Sequence, residues 1–315
     1  MADGAPLIAT PGAPIPAGGG AEWFDGAGGA RLRAALFPAR GASKGSVVVS
    51  PGRTEPIEKY FEVVERLTAA GLVVLVHDWR GQGLSQRLLP DRLAGHAAGY
   101  RDFLADYAAL LAAFESRLPQ PWLAMGHSMG GCLTLLALAA GETRFAAAIL
   151  SAPMLGLQTG AIPRSLARTT AALMSGLGRG GQSVTRPAPP TGFEANILTH
   201  DPARYARNLA QEAACPDLSL GGPTWGWLDF AFRAIGVLER GPGLPRLAMP
   251  LTVVAAGEER LVDNEGLRRV TARVPGARFE LIPGAYHEIL QETDALQATF
   301  WVAFDKIAAR VGVTL

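Results

Sequence analysis

The sequence predicts an α/β fold: a mainly parallel eight-stranded sheet with helices on both faces and an inserted, largely helical cap. Three observations predict it. Short apolar runs alternate with segments of helical spacing, the alternation stops for a long Pro- and Gly-rich stretch, and it then resumes with the same rhythm. Strands alternating with helices imply right-handed crossovers and hence a parallel sheet covered on both sides.

Residues 1–20 are rich in Gly, Ala and Pro, and their composition predicts a disordered, mobile arm. Residues 22–38 hold two strand-like pieces around the turn Asp25-Gly26-Ala27-Gly28-Gly29, which suits an antiparallel start. Ser46-Val47-Val48-Val49-Ser50 reads as a buried strand, and Ile57, Tyr60, Phe61, Val64 and Leu67 then mark a helix over 57–70. A β-rich run at 72–76 precedes a second helix marked by Tyr100, Phe103, Leu104, Tyr107, Leu111 and Phe114. A short apolar strand at 122–125, a helix at 129–140 and an apolar run at 145–150 follow. The alternation resumes with a strand at 251–256, a helix at 265–274, a strand at 278–282 and a final helix at 294–309. The core therefore covers 21–153 and 249–315, and 154–248 forms the cap.

With 49% apolar and 18% charged residues, the chain can fill a large core. Its 29 basic and 28 acidic residues are interspersed, so no basic track for nucleic acid exists. Small neutral or amphiphilic substrates are the expectation, and no protein partner is implied. Cys132 and Cys215 can build neither a disulfide framework nor a metal cluster, and a packed free thiol at Cys132 suits a cytoplasmic protein. The segment 1–20 carries Asp3 and no basic stretch, unlike a signal peptide. Residues 118–141 lack charge, but Pro119, Pro121, Gly126, Gly130 and Gly131 interrupt any spanning helix.

Gly126-His127-Ser128-Met129-Gly130-Gly131 lies between a predicted strand and a predicted helix, the context a G-x-S-x-G nucleophile elbow needs. A sharp turn there strains the serine backbone, and bare glycines avoid clashes beside it. The hydroxyl then stands at a helix N-terminus, which favours developing negative charge. Such a serine needs a base held by a third group, in the chain order Ser, acid, His. Of five histidines, His77, His96, His127 and His200 read as structural, although His200 in the cap is a candidate for substrate contact. His287 follows the last strand and is the candidate base. The loop after 251–256 offers Glu258, Glu259, Asp263 and Glu265; Asp263, preceded by Leu261-Val262, is favoured, with Glu259 as the fallback. Two backbone N–H donors complete an oxyanion hole, those of Met129 and, in Ser50-Pro51-Gly52-Arg53-Thr54-Glu55, of Arg53. Arg53 and Glu55 are candidates to pair with each other. Asp78 and Arg80 are candidate partners locking the Gly-rich turn at 80–85. The match Gly176-Leu177-Gly178-Arg179-Gly180-Gly181 to a dinucleotide motif has no preceding strand and reads as a cap loop.

At these residues the chain resembles the lysophospholipase and monoacylglycerol lipase group of α/β-hydrolases, especially the bacterial lysophospholipases. The similarity rests on Pro51-Gly52-Arg53-Thr54-Glu55, Asp78-Trp79-Arg80-Gly81-Gln82-Gly83-Leu84-Ser85, 126–131, Leu261-Val262-Asp263 and His287-Glu288-Ile289-Leu290. Many relatives begin the oxyanion loop with His-Gly, where this chain has Pro51-Gly52. The resemblance implies a serine esterase that cleaves lysophospholipids or monoacylglycerols through an acyl-enzyme, without cofactor or metal. Trp225 and Trp227, in a cap piece that also resembles the group, are candidates to line an acyl pocket, as are Phe230 and Phe232. The near-neutral charge predicts no dependence on anionic phosphate recognition. An apolar cap surface further predicts peripheral contact with a membrane, at its inner face, without a span. Two rival readings use the same scaffold: an aminopeptidase or other amide hydrolase, and a silent binding protein.

Overall fold

Valine- and alanine-rich runs supply the strands, and alternate side chains serve opposite faces of one sheet. The structure is a computed structural model that describes residues 3–184 and 192–315. In chain order it contains β1 (Gly4–Ala5), β2 (Gly20–Asp25), β3 (Arg31–Phe37), β4 (Ser46–Ser50), α1 (Phe61–Ala69), β5 (Val73–His77), α2 (Tyr100–Phe114), β6 (Trp122–His127), α3 (Ser128–Ala139) and β7 (Phe145–Ser151). There follow α4 (Arg164–Met174), α5 (Pro202–Ala214), α6 (Trp225–Arg240), β8 (Leu251–Ala256), α7 (Asn264–Thr271), β9 (Arg278–Ile282) and α8 (Asp294–Ala309).

The sheet has nine strands in the order β1-β2-β3-β5-β4-β6-β7-β8-β9, antiparallel from β1 to β5 and parallel from β5 to β9. The ninth strand corrects two expectations, since it lies in the segment predicted to be a disordered arm. Gly4 pairs with Glu22 and Ala5 with Ala21. The Pro6 carbonyl accepts from Arg33 Nη1 at 2.9 Å, and the Ile8 N–H donates to Glu58 Oε1 at 3.2 Å. The open edge of β2 and a buried arginine give this Gly- and Pro-rich segment partners that its composition does not reveal. Met1, Ala2 and the cap residues 185–191 lie outside the described residues.

Val47 and Val49 join one hydrophobic cluster with α1 and α8, while Val48 joins the other with α2, α3, α6 and α7. From β4 the chain leaves towards α1 on one face, and from the adjacent β6 it leaves towards α3 on the opposite face. Diverging connections open a crevice at the carboxyl ends of neighbouring strands, the usual ligand site of open α/β sheets. Here Ser50 pairs with Gly126, so the segments 51–55 and 127–131 flank that crevice.

The turn after β5 is locked by charge. Arg33, fully buried, donates from Nε to Asp78 Oδ2 at 2.7 Å and from Nη2 to Glu58 Oε2 at 2.8 Å. Asp78 also accepts from the Leu84 and Ile57 N–H groups, both at 2.9 Å. Arg80 instead bonds Asp106 of α2, with Nη2 2.6 Å from Oδ1. Asp78 and Arg80 thus each hold the turn, but to different elements rather than to each other.

Between β7 and β8 the chain leaves the sheet. α6 is sealed into the core cluster, where Phe230 meets Phe103 with ring centroids 5.0 Å apart. In α4 only Ala171 is buried, and in α5 only Gln211. No helix among the described residues is long and apolar enough to cross a membrane.

Candidate active site

Ser128 is the first residue of α3 and has a φ of 48°, a left-handed conformation that a serine adopts only under constraint. Its neighbours explain how the turn fits. A Cβ on Gly130 would lie 2.1 Å from the Ser50 carbonyl oxygen, and one on Gly126 would lie 2.7 Å from Gly131 Cα. These positions accept no side chain, so the elbow is a steric requirement of β4 and β6 lying side by side. The Met129 N–H is in the first turn of α3, where helix geometry leaves donors without an intrahelical acceptor.

His287 lies in the loop after β9 and is 4% exposed. Its Nε2 is 3.0 Å from Ser128 Oγ, so the structure joins the predicted nucleophile and base. Its Nδ1 donates to Glu259 Oε2 at 2.7 Å. Glu259 Oε1 accepts from the Leu261 and Val262 N–H groups at 2.7 and 3.1 Å. Burial pushes the Glu259 carboxyl up, but the hydrogen bond and charge of His287 and these two donors outweigh it and hold the group below its ordinary value.

Asp263, favoured from sequence, does not take this place. It is the N-cap of α7: Oδ1 accepts from the Glu265 N–H and Oδ2 from the Gly266 N–H, both at 3.1 Å. An aspartate immediately before a predicted helix is itself a capping signal, and that signal could have directed the acid assignment to Glu259.

The loop after β4 carries a second set of buried charges. Glu55 Oε2 accepts from the Gly52 N–H at 2.5 Å and from the Tyr60 hydroxyl at 2.6 Å. Lys59 Nζ lies 3.1 Å from Glu55 Oε1 and 2.6 Å from Glu288 Oε1. Burial pushes Glu55 up, but Lys59, His127 and its two hydrogen bonds bring it down to about 2. Gln82 braces the same loop, donating to the Gly52 carbonyl at 3.1 Å and accepting from the Thr54 N–H at 3.2 Å. The Arg53 backbone N–H has no acceptor among the described residues. The expected Arg53–Glu55 pair does not form, because Glu55 turns to Lys59. Lys59, Glu288 and Gln82 were not singled out as site residues: they come from separate segments, and sequence spacing relates only Lys59 to Glu55.

A cavity of about 490 Å³ opens over Ser128 and His287, lined by Arg53, Met154, Leu157, Ile162, Leu198, Trp227, Leu228, Phe232 and Val262 among others. Of the four aromatic candidates, Trp227 and Phe232 line this cavity, and Trp225 and Phe230 do not. His200 does not line it either. It bonds Glu292 Oε1 at 2.8 Å and stacks on Tyr286 at 3.8 Å, beside the His287 loop. His127 lines the cavity, donates from Nδ1 to the Ser151 carbonyl at 3.1 Å, and is pushed down to about 4 chiefly by burial. His96 bonds Thr224 Oγ1 at 2.9 Å, and buried His77 meets Trp79 edge-on at 4.3 Å. No group of His, Cys, Asp and Glu among the described residues has the arrangement of a metal site.

Comparison with known proteins places the chain in a family. The family described as serine aminopeptidase, S33, matches residues 41–294. Lysophospholipase L2 of Escherichia coli K12 is 37% identical over 268 residues, covering 80% of this chain and 76% of that protein. The monoacylglycerol lipase of Mycolicibacterium smegmatis is 28% identical, covering 86% of this chain and 91% of that protein. Among solved structures, a soluble variant of monoglyceride lipase from Saccharomyces cerevisiae aligns with a TM-score of 0.73 at 18% identity, over 95% of this chain and 97% of that one.

Proposed function

The chain belongs to the serine aminopeptidase S33 family of α/β-hydrolases, and from that premise we propose that it is a carboxylic ester hydrolase acting on lysophospholipids or monoacylglycerols. The observation that carries the reading is the continuous line from Glu259 through His287 to Ser128, with contacts of 2.7 and 3.0 Å. Glu259 holds Nδ1 protonated, which leaves Nε2 free to take the Ser128 proton as Oγ bonds to the ester carbonyl carbon. The oxyanion so formed is received by the N–H groups of Arg53 and Met129. Collapse breaks the bond to the alcohol oxygen, which takes the proton from His287. Water then repeats the sequence on the acyl-enzyme.

The names of the relatives, lysophospholipase L2 and monoacylglycerol lipase, support a single-chain lipid substrate. So does a cavity lined by Met154, Leu157, Leu228 and Phe232, which suits an acyl chain. The described residues of the 154–248 segment act as the cap over it. Aminopeptidase action fits less well. An α-ammonium needs an unpaired carboxylate, and Glu55 and Glu288 in the cavity wall are both engaged by Lys59. Ile162, Leu166, Leu173 and Leu177, all more than half exposed, give the cap an apolar face for peripheral contact with a lipid surface.

Measuring kcat/KM over acyl esters from acetyl to palmitoyl, with glycerol, phosphocholine and phosphoethanolamine heads, and over aminoacyl amides tests this reading. Lipid esters are expected to lead; a preference for the amides overturns it.

A further inference from the structure

Burying a guanidinium is costly unless an anion or a full set of acceptors meets it. Arg53 lines the cavity above Ser128, yet no carboxylate among the described residues lies within ion-pair distance of it. Among the described residues only Nη2 has an acceptor, the Gly221 carbonyl, and Nε is buried without any. Burial, with no acid to offset it, brings the group down to about 10. The other charged residues of the cavity wall, Glu55 and Glu288, are taken by Lys59.

The side chain is nevertheless held in a built seat. Its guanidinium lies 5.3 Å from the centre of the Trp227 ring. A Cβ on Gly95 would fall 2.3 Å from Nη2, so glycine there makes the room. Trp227 also lines the cavity, and its Nε1 is a second buried donor without an acceptor. Two residues with a buried, unpartnered N–H donor, one of them carrying a positive charge with no carboxylate beside it, thus line a cavity that contains the candidate nucleophile.

We propose that the Arg53 guanidinium, seated over the Trp227 ring, is the receptor for the anionic phosphodiester of a single-chain phospholipid. This rests on the ester-hydrolase reading and assigns a head group within it. A planar guanidinium matches phosphate oxygens in geometry as well as charge. The near-neutral whole-chain balance, which predicted indifference to phosphate, conceals one local charge that has no partner in the protein.

The test compares kcat/KM for palmitoyl lysophosphatidylcholine and for monopalmitoylglycerol in the wild-type enzyme, Arg53→Gln and Arg53→Lys. Because the Arg53 backbone also serves the oxyanion, the quantity read is the ratio of the two substrates within each protein. In Arg53→Gln the phospholipid-to-glycerol ratio is expected to fall roughly tenfold or more, with partial recovery in Arg53→Lys. A ratio unchanged within about twofold overturns the proposal. A wild-type enzyme that cleaves monopalmitoylglycerol but not the lysophospholipid overturns it while leaving the esterase reading intact; one that cleaves neither removes the esterase reading itself. Inhibition of nitrophenyl butyrate cleavage covers the case of an unstable variant. Sub-micellar decylphosphocholine is expected to compete more strongly than 1-O-decylglycerol in the wild-type enzyme, and equal competition overturns the proposal. Inhibition by inorganic phosphate alone, matching that by decylphosphocholine, makes this a free-anion site and overturns the lipid assignment.

Discussion

In the floor of the cavity a methyl group added at Gly130 would meet backbone oxygens at 2.1 and 2.3 Å, whereas in the roof Leu166, Leu173 and Leu177 are 57%, 59% and 63% exposed. The floor consists of the loops after β4, β6, β8 and β9, where Glu55, Glu259 and His287 are each fixed by two or more named partners. In the roof α6 is held by apolar contact and α5 by ion pairs such as Arg204–Glu62 and Arg207–Glu62, while α4 presents leucines outward. Atom placement is precise where Ser128 and His287 stand 3.0 Å apart, and apolar side chains are left exposed on the roof. Substitutions in the floor should therefore alter rate or folding, and those in the roof should alter partition to lipid.

The largest effect is expected at Glu259. Glu259→Gln keeps the shape but removes the carboxylate charge and lets an amide N–H face Nδ1, which favours the wrong tautomer, and kcat should fall roughly 10³-fold or more, as in other serine hydrolases. Asp263→Ala sharpens the contrast within one loop. It should leave kcat within a few-fold and cost about 1 kcal/mol of stability through the lost α7 cap, measured by urea unfolding. A reversal of these two outcomes would return the acid role to Asp263.

Gly130→Ala should lower stability by about 1–3 kcal/mol or more, since the backbone oxygens it meets cannot move without displacing β4. Native-like stability with full activity would contradict the steric account of the elbow. The smallest effect is expected in the roof. Leu166→Ser with Leu173→Ser should leave turnover of soluble short-chain esters near the wild-type value and weaken sedimentation with phosphatidylcholine vesicles several-fold. Unchanged sedimentation would remove the lipid-surface role of this face.

Much of this architecture was legible because period and turn chemistry are local. Ser46–Ser50, Tyr100–Phe114 and Arg278–Ile282 each follow from a run of residues whose spacing declares the element. Ser128 was legible for the same reason, since its glycines stand within three residues of it. What stayed hidden depends on pairs distant in the chain. Arg33 meets Asp78 across 45 residues, and Lys59 meets Glu288 across 229. The Gly4–Ala5 strand was concealed because its composition is that of a linker, while its partner edge on β2 supplies the order. Glu259 and Asp263 lie in one loop, and only the start of α7 decides which carboxylate is consumed as a cap.

We propose that Ser128 becomes acylated in a site aligned by His287 and Glu259. Treatment with a fluorophosphonate followed by peptide mass spectrometry tests it most directly, with Ser128→Ala as control. The expected result is a single adduct on Ser128, formed in parallel with loss of esterase activity and absent from Ser128→Ala. An adduct on any other residue, or full inactivation with Ser128 unmodified, would contradict it.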